Sequence, residues 1–212
     1  MRLIIILITN KLTMKKTYLL ILMSFITLSS IAQVEGNGFG PGYKWTIGLG
    51  VNTIDSDGTG FNQAFKTKQW NFKHPIMFTA ERKWNNTFAT SFSLSFNQLE
   101  KSNLLDGVYP TKDFSYVAFD LNGHLYFDHF IFKTTRNDWF EAYAIAGLGI
   151  PVIINNDNNN ADGSFNTGLG LNFWISDNWG IRLQSVGKFA FNHGTNNHSN
   201  HIQNSFAIIA RF

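Results

Sequence analysis

The stretch "TFATSFSLSFNQ" (residues 87–98) alternates without a break. Phe88, Thr90, Phe92, Leu94 and Phe96 fall on one face, and Ala89, Ser91, Ser93, Ser95 and Asn97 on the other. Successive side chains of a β-strand point to opposite faces, so a period of two predicts a strand with one apolar and one polar side. The same period recurs along most of the chain. It predicts eight strands, over 43–53, 74–84, 87–98, 114–127, 139–152, 164–175, 179–192 and 201–212. In the fourth, Val117, Phe119, Leu121 and Leu125 oppose Tyr116, Asp120, Asn122 and His124. In the sixth, Leu169, Leu171 and Phe173 oppose Gly168, Gly170 and Asn172.

The connections alternate in length. "NN" (Asn85, Asn86) and a turn around Ser176-Asp177-Asn178 join the second strand to the third and the sixth to the seventh. Long polar segments join the others: "DSDGTGFNQAFKTKQ", "EKSNLLDGVYPTKD", "NNDNNNADG" and "HGTNNHSN". The connection around "DHFIFKTTRND" is the exception, a longer one at the short-turn end. Short turns at one end, long loops at the other and strands long enough to cross a bilayer predict an all-β fold, an eight-stranded antiparallel up-and-down transmembrane β-barrel.

A soluble barrel with its apolar face inside is the competing arrangement. Three features favour apolar outside. The polar face is rich in Gly, Ser and Asn, as suits a lumen. Charged residues make up only 15% of the chain, against about 25% in soluble domains. Five of the six tryptophans (Trp45, Trp84, Trp139, Trp174 and Trp179) lie near the short-turn end, where amphipathic rings form an interfacial girdle. Phe212, on the face of Phe206, Ile208 and Ala210, joins that girdle. The last strand is expected to close the sheet against the first, because hydrocarbon does not tolerate an unpaired edge.

The N-terminal part reads as a leader. Lys15 and Lys16 precede an apolar stretch from Tyr18 to about Ile26, and Ser30-Ile31-Ala32 forms a small-x-small cleavage site. Residues 1–32 are therefore expected to be a signal peptide, with 1–13 an over-extended start upstream of Met14. Residues 33–42 form a short lead, and 43–212 the barrel. Removing the leader leaves 13 Lys and Arg against 14 Asp and Glu. The basic balance thus belongs to the leader, and no nucleic-acid partner follows from it. The chain has no cysteine, which excludes disulfides and a lipid-attachment cysteine.

Lys44, Glu81, Glu141, Arg182 and Arg211 have inward parity in the short-turn half of their strands. They are expected to form an interior charge network, because an unpaired charge there is costly. Asp120, His124 and Tyr143 are positioned to extend it, and Lys188 points inward nearer the loops. Eight strands leave room only for side chains, so the network reads as a plug rather than a narrow polar path. The "GLG" triplets at 48–50, 147–149 and 168–170 lack the strand–loop–helix setting of phosphate loops. Their glycines instead make room for larger inward neighbours. "DNNNADG" (157–163) and "DSDG" (55–58) lack the ligand pattern of a calcium loop. His198-Ser199, His201 and His193 lie in or beside the last loop, without the spacing of a nucleophile and its oriented base. No catalytic, cofactor or metal site is expected.

"NTGLGLNFWISDNWGIRLQSVGKFAF" (166–191) and "HIQNSFAIIARF" (201–212) resemble the OmpA-type eight-stranded barrel of Bacteroidetes-like bacteria. "YVAFDLNGHLYF" (116–127) and "FEAYAIAGLGI" (140–150) fit its fourth and fifth strands, although Ala142 stands where the family often has proline. The resemblance covers most of 40–212. It implies the outer membrane of a Gram-negative cell and insertion by the barrel-assembly machinery, which reads the terminal aromatic, here Phe212. No periplasmic peptidoglycan-binding domain of the kind found in longer members is expected after the barrel. The expected role is that of a monomeric, non-enzymatic barrel of the porin family. It would sit in outer-membrane lipid, support membrane integrity and offer its long loops to an extracellular ligand. A narrow porin-like channel and a lipid A-modifying enzyme are the alternatives.

Overall fold

A computed structural model describes residues 43–56, 67, 70–105, 107–128, 139–154, 159–191 and 200–212. The leader, the 33–42 lead, most of the first long loop, and His193, His198 and Ser199 lie outside these residues. The strands are β1 (Trp45–Asp55), β2 (Lys73–Lys83), β3 (Phe88–Leu99), β4 (Phe114–Tyr126), β5 (Phe140–Ile154), β6 (Asn159–Ala161), β7 (Ser164–Trp174), β8 (Trp179–Ala190) and β9 (His201–Arg211). Eight of them are the eight expected strands, with ends moved by up to about two residues. The additional one, β6, has three residues and pairs only with β5, from Val152↔Ala161 to Ile154↔Asn159. Its asparagines read as turn chemistry in the sequence. The ladder of β5, extended past the barrel rim, recruits them as a strand.

Every neighbouring pair is antiparallel, and the sheet closes. β4 pairs with β5 from Ser115↔Ile154 to Tyr126↔Tyr143. β1 pairs with β9 from Thr46↔Arg211 to Asp55↔Ile202. Phe212 continues that seam: its N–H donates to the Trp45 carbonyl at 2.9 Å, and its own carbonyl accepts from the Lys44 and Trp45 amides. The expected closure of the last strand on the first is present. One irregularity lies near the loop end of β2, where the register slips between Lys73↔Gln98 and Ile76↔Phe96. His74 there takes a φ of 55°, and Pro75 has no N–H to give to the ladder. Two residues thus oppose one, which is a β-bulge.

The pleat sorts the residues as the period predicted. Phe92, Phe96, Phe119, Leu121, Leu148, Ile150, Leu169, Phe206 and Ile208 stand exposed on the outside, with Leu121 63% accessible. Ala89, Ser91, Ser95, Asn97, Glu81, His124, Asn166, Asn172 and Arg182 are buried inside. The apolar exterior runs round the barrel, far beyond the few hundred Å² that a soluble monomer tolerates.

The interior is polar over most of its height but not at the loop end. There Ile54, Leu99, Tyr116 and Ala118 form a buried apolar cluster, with Leu105, Phe114 and Ile153 packed against it. At this level the inward positions switch from Ser and Asn to Ile, Leu and Tyr, and the barrel acquires a lid resembling the core of a small soluble domain.

Candidate functional site

The packed interior is where the chain concentrates its charge. β2 sends Glu81 and Lys83 inward, β4 sends His124 and Tyr126, β5 sends Glu141 and Tyr143, and β7 and β8 send Asn172 and Arg182. One Glu81 carboxylate oxygen accepts from Arg182 Nη2 and from His124 Nδ1, each at 2.8 Å. The other accepts from the Tyr126 hydroxyl at 2.6 Å. Arg182 Nε donates to Asn172 Oδ1 at 2.9 Å, and Asn172 Nδ2 donates to Glu141 at 2.9 Å. Lys83 Nζ closes the chain on the other Glu141 oxygen. Two carboxylates, one guanidinium and one ammonium share this layer, so it is neutral without the imidazole. Side chains of Glu81, Arg182 and His124 are all 0% exposed. A carboxylate can only accept, so its oxygens take three donors and the buried charge is satisfied.

Aromatic rings hold the layer in place. Tyr143 stacks on His124 at 4.6 Å between centroids, lies 4.9 Å from Tyr126, and accepts a hydrogen bond from Gln184 at 3.0 Å. Gly170 lies beside the Tyr143 ring, where a β-carbon would come within 2.3 Å of it. Small inward residues therefore do make room for large ones, as the glycine triplets suggested.

A second centre sits nearer the loops. Lys188 Nζ lies 2.8 Å from both oxygens of Asp120. Asn166 Nδ2 donates to Asp120 at 2.9 Å and to Asn122 at 3.1 Å. Above it Gln203 donates to Ser95 at 2.7 Å, and Asn97 Nδ2 bridges to Asn52. A cavity of about 20 Å³ lies under the apolar lid, bordered by Tyr116, His201, Ser164 and Ile153. That is room for about one water molecule. His201 is buried there and bonds the Tyr116 hydroxyl at 2.8 Å.

Three of the expected assignments need correction. Lys44 precedes β1 and is exposed. Its inward parity has no effect beyond the rim, where no pleat directs the side chain. Arg211 is only half-buried. Its Nε donates to the Asp177 carbonyl at 2.6 Å, and its guanidinium lies 4.1 Å from the Trp174 ring and 4.5 Å from that of Tyr43. It belongs to the floor of the barrel, below the Glu81 layer. Trp174 is 6% exposed and packs inside with Met77, Ala207 and Ile209. It shares the even parity of Asn172, so nearness to a turn did not place it in an outer girdle. Trp45, Trp84 and Trp139 are exposed at the short-turn end, while Trp179 and Phe212 are half-buried there.

Lys83 is one member of the layer that was not anticipated. It sits two positions from Glu81, and that shared parity is the signal that finds it. Asp120 joins Lys188 rather than the lower layer. Ser91 was also unforeseen. Its hydroxyl lies 2.8 Å from His124 Nε2, while Nδ1 faces Glu81. This is the connectivity of a nucleophile, base and orienting acid. Ser91 is 4% and His124 0% exposed, and Arg182 occupies the acid. All three side chains are packed inside the barrel wall, with Glu81 also bound to Arg182 and Tyr126.

Two solved structures share this architecture. Neisserial surface protein A matches over 84% of this chain and 100% of its own, with a TM-score of 0.52 at 12% identity. Outer membrane protein OprG from Pseudomonas aeruginosa matches over 84% and 97%, with a TM-score of 0.51 at 9% identity. At such identities the likeness concerns the fold alone: a closed eight-stranded antiparallel barrel of the outer-membrane type. No protein-family model matches the sequence, and no curated protein matches it either.

Proposed function

We propose that this chain is an OmpA-like outer-membrane barrel of Gram-negative, Bacteroidetes-type bacteria, acting as a monomeric structural and surface-display protein without enzymatic activity. One observation carries the reading: a continuous apolar exterior surrounds a filled interior whose buried charges are paired. Such a molecule is stable only with hydrocarbon outside. Its contribution is to anchor long loops at the membrane surface and to brace the bilayer around it.

At the loop end, the second long loop is tied down by its own polar contacts. Asp113 accepts from Lys73 at 2.8 Å, from Gln98 at 3.2 Å and from the Lys101 amide at 2.9 Å. The Lys101 amide and Lys73 hold its carboxyl below the usual carboxylate range. Asn71 accepts from the Glu100 amide and from Asn103, which ties the first long loop to the second. Within the second loop a turn at Gly107 (φ 79°) leaves Val108 and Tyr109 exposed. The partner of the loops is an extracellular molecule.

A narrow channel is the reading that a filled interior opposes. Purified protein reconstituted in planar bilayers is expected to conduct no more than the bare membrane. Steady single-channel openings at low voltage would replace the structural role with a porin-like one. A lipid A-modifying activity finds no support at His201, which is engaged with Tyr116 beneath the lid.

Phe212 carries the proposed assembly signal for the barrel-assembly machinery. Phe212→Asp puts a charge at the membrane boundary, where the direct cost is only about 0–1 kcal/mol. The variant is therefore expected to refold in detergent with near-normal stability, yet to reach the outer membrane of cells at a clearly lower level. Equal cellular levels would reduce Phe212 to an interfacial ring.

A further inference from the structure

Arg82 is the outward cation that the interior network does not use. It faces outward on β2, between Trp45 of β1 and Thr90 of β3, its cross-strand partners. Its guanidinium lies 4.4 Å from the Trp84 ring and 5.6 Å from the Trp45 ring. Trp84 is held in turn, its indole N–H donating to Thr90. Lys44 is exposed at the adjoining rim, where its carbonyl accepts from the Lys83 amide. Among the described residues no carboxylate lies within ion-pair distance of Arg82 or Lys44. No Asp or Glu occupies an outward position in the short-turn half of β1, β2, β3 or β4.

Directly above this cation the outward row reads Ile47, Ala80, Phe92. The smallest side chain of the row stands over Arg82, flanked by a branched aliphatic and a ring. The patch therefore offers two cations, without an ion-pair partner among the described residues, at the level of the tryptophans, and an apolar lane with a low centre leading toward the middle of the belt. The molecule that fits carries a net negative head and an apolar chain on the same end. A guanidinium has five N–H donors in a planar fork that matches a phosphate. Indoles on two sides fix the fork before the ligand arrives, which lowers the ordering cost of binding.

We propose that Arg82, with Lys44, Trp45 and Trp84, forms a binding site for one phospholipid with an anionic headgroup, drawn from the leaflet at the short-turn end. The phosphate sits on Arg82 and an acyl chain lies along Ile47, Ala80 and Phe92. The proposal rests on the membrane reading above and adds a lipid preference to it. A zwitterionic lipid offers the same phosphate but cancels the charge, so two neighbouring cations select against it.

The test uses the mature chain in nanodiscs of mixed phosphatidylcholine and phosphatidylglycerol, followed by native mass spectrometry of the released protein. The unmodified barrel is expected to retain one phosphatidylglycerol several-fold over its share of the mixture. Arg82→Gln is expected to bring retention down to that share, Lys44→Gln to lower it partly, and Arg82→Lys to keep a portion. Lys101→Gln, a charge change of the same size at the loop end, leaves it unaltered. Equal retention by Arg82→Gln and the unmodified barrel overturns the site, as does an equal loss in Lys101→Gln. Absence of enrichment in the unmodified barrel overturns it too. Heat-modifiable migration on gels confirms that each variant is folded. Failure to enter nanodiscs at all would count against the membrane reading instead.

Discussion

Arg182→Met will cost the barrel about 3–5 kcal/mol, because it leaves a buried carboxylate without its cation. Urea titration in detergent micelles reads the loss as a lower midpoint with an unchanged slope. Glu81 keeps donors from His124 and Tyr126, which places the loss nearer 3 than 5. Asn172 also loses the donor to its Oδ1. The second half of the experiment separates charge from volume. In Glu81→Gln/Arg182→Met the amide oxygen still accepts from Tyr126, and no charge remains to be neutralised. Replacing both partners of a buried pair is often neutral, so the double variant should recover most of the loss. A double variant as unstable as Arg182→Met alone would show that the guanidinium acts by filling space over Tyr143 rather than by its charge.

The second large effect comes from a residue with no side chain. Gly170→Val places a β-carbon about where the Tyr143 ring now lies: the nearest ring atoms would be 2.3 and 2.4 Å away. Tyr143 is 0% exposed and is wedged between His124 and Tyr126, so it cannot swing aside without disturbing the carboxylate beside them. Overpacking of this kind costs about 1–3 kcal/mol, and the rigid surroundings favour the upper end. Tyr143→Leu opens space at the same point. Combined with Gly170→Val it should be less destabilising than the two changes added together, since neighbours that share a contact are not additive. Urea midpoints of the four proteins measure the coupling, and simple additivity would mean that valine is accommodated on another side.

Both experiments probe a feature that parity alone could not describe. The alternation along 87–98 or 114–127 determines by itself which residues face in and which face out, because a strand's side chains have no third direction. Strand number, antiparallel order and closure follow from the same period and from the alternating loop lengths. Glu81, Glu141 and Arg182 were legible as inward charges for that reason, and Lys83 was legible in principle by the same parity. Partnership was not legible. Glu81 and Arg182 are separated by 101 positions and meet across the lumen only because closure sets the stagger of β2 against β8. That stagger also separates Asp120, which finds Lys188, from the Glu81 layer.

The corrections have the same origin. Lys44 lies just before β1 and Arg211 ends β9, where the pleat stops directing side chains and local partners decide. Trp174 was judged by its distance from a turn, when its parity with Asn172 already put it inside. The short β6 and the apolar lid of Ile54, Leu99 and Tyr116 arise where the ladder rises past the level of the belt, into surroundings that sequence periodicity does not register. The sequence by itself determined the faces, because a period of two is a local property of the backbone. Only the closed tertiary structure decided the pairings, because the lumen brings together residues whose spacing along the chain has no period at all.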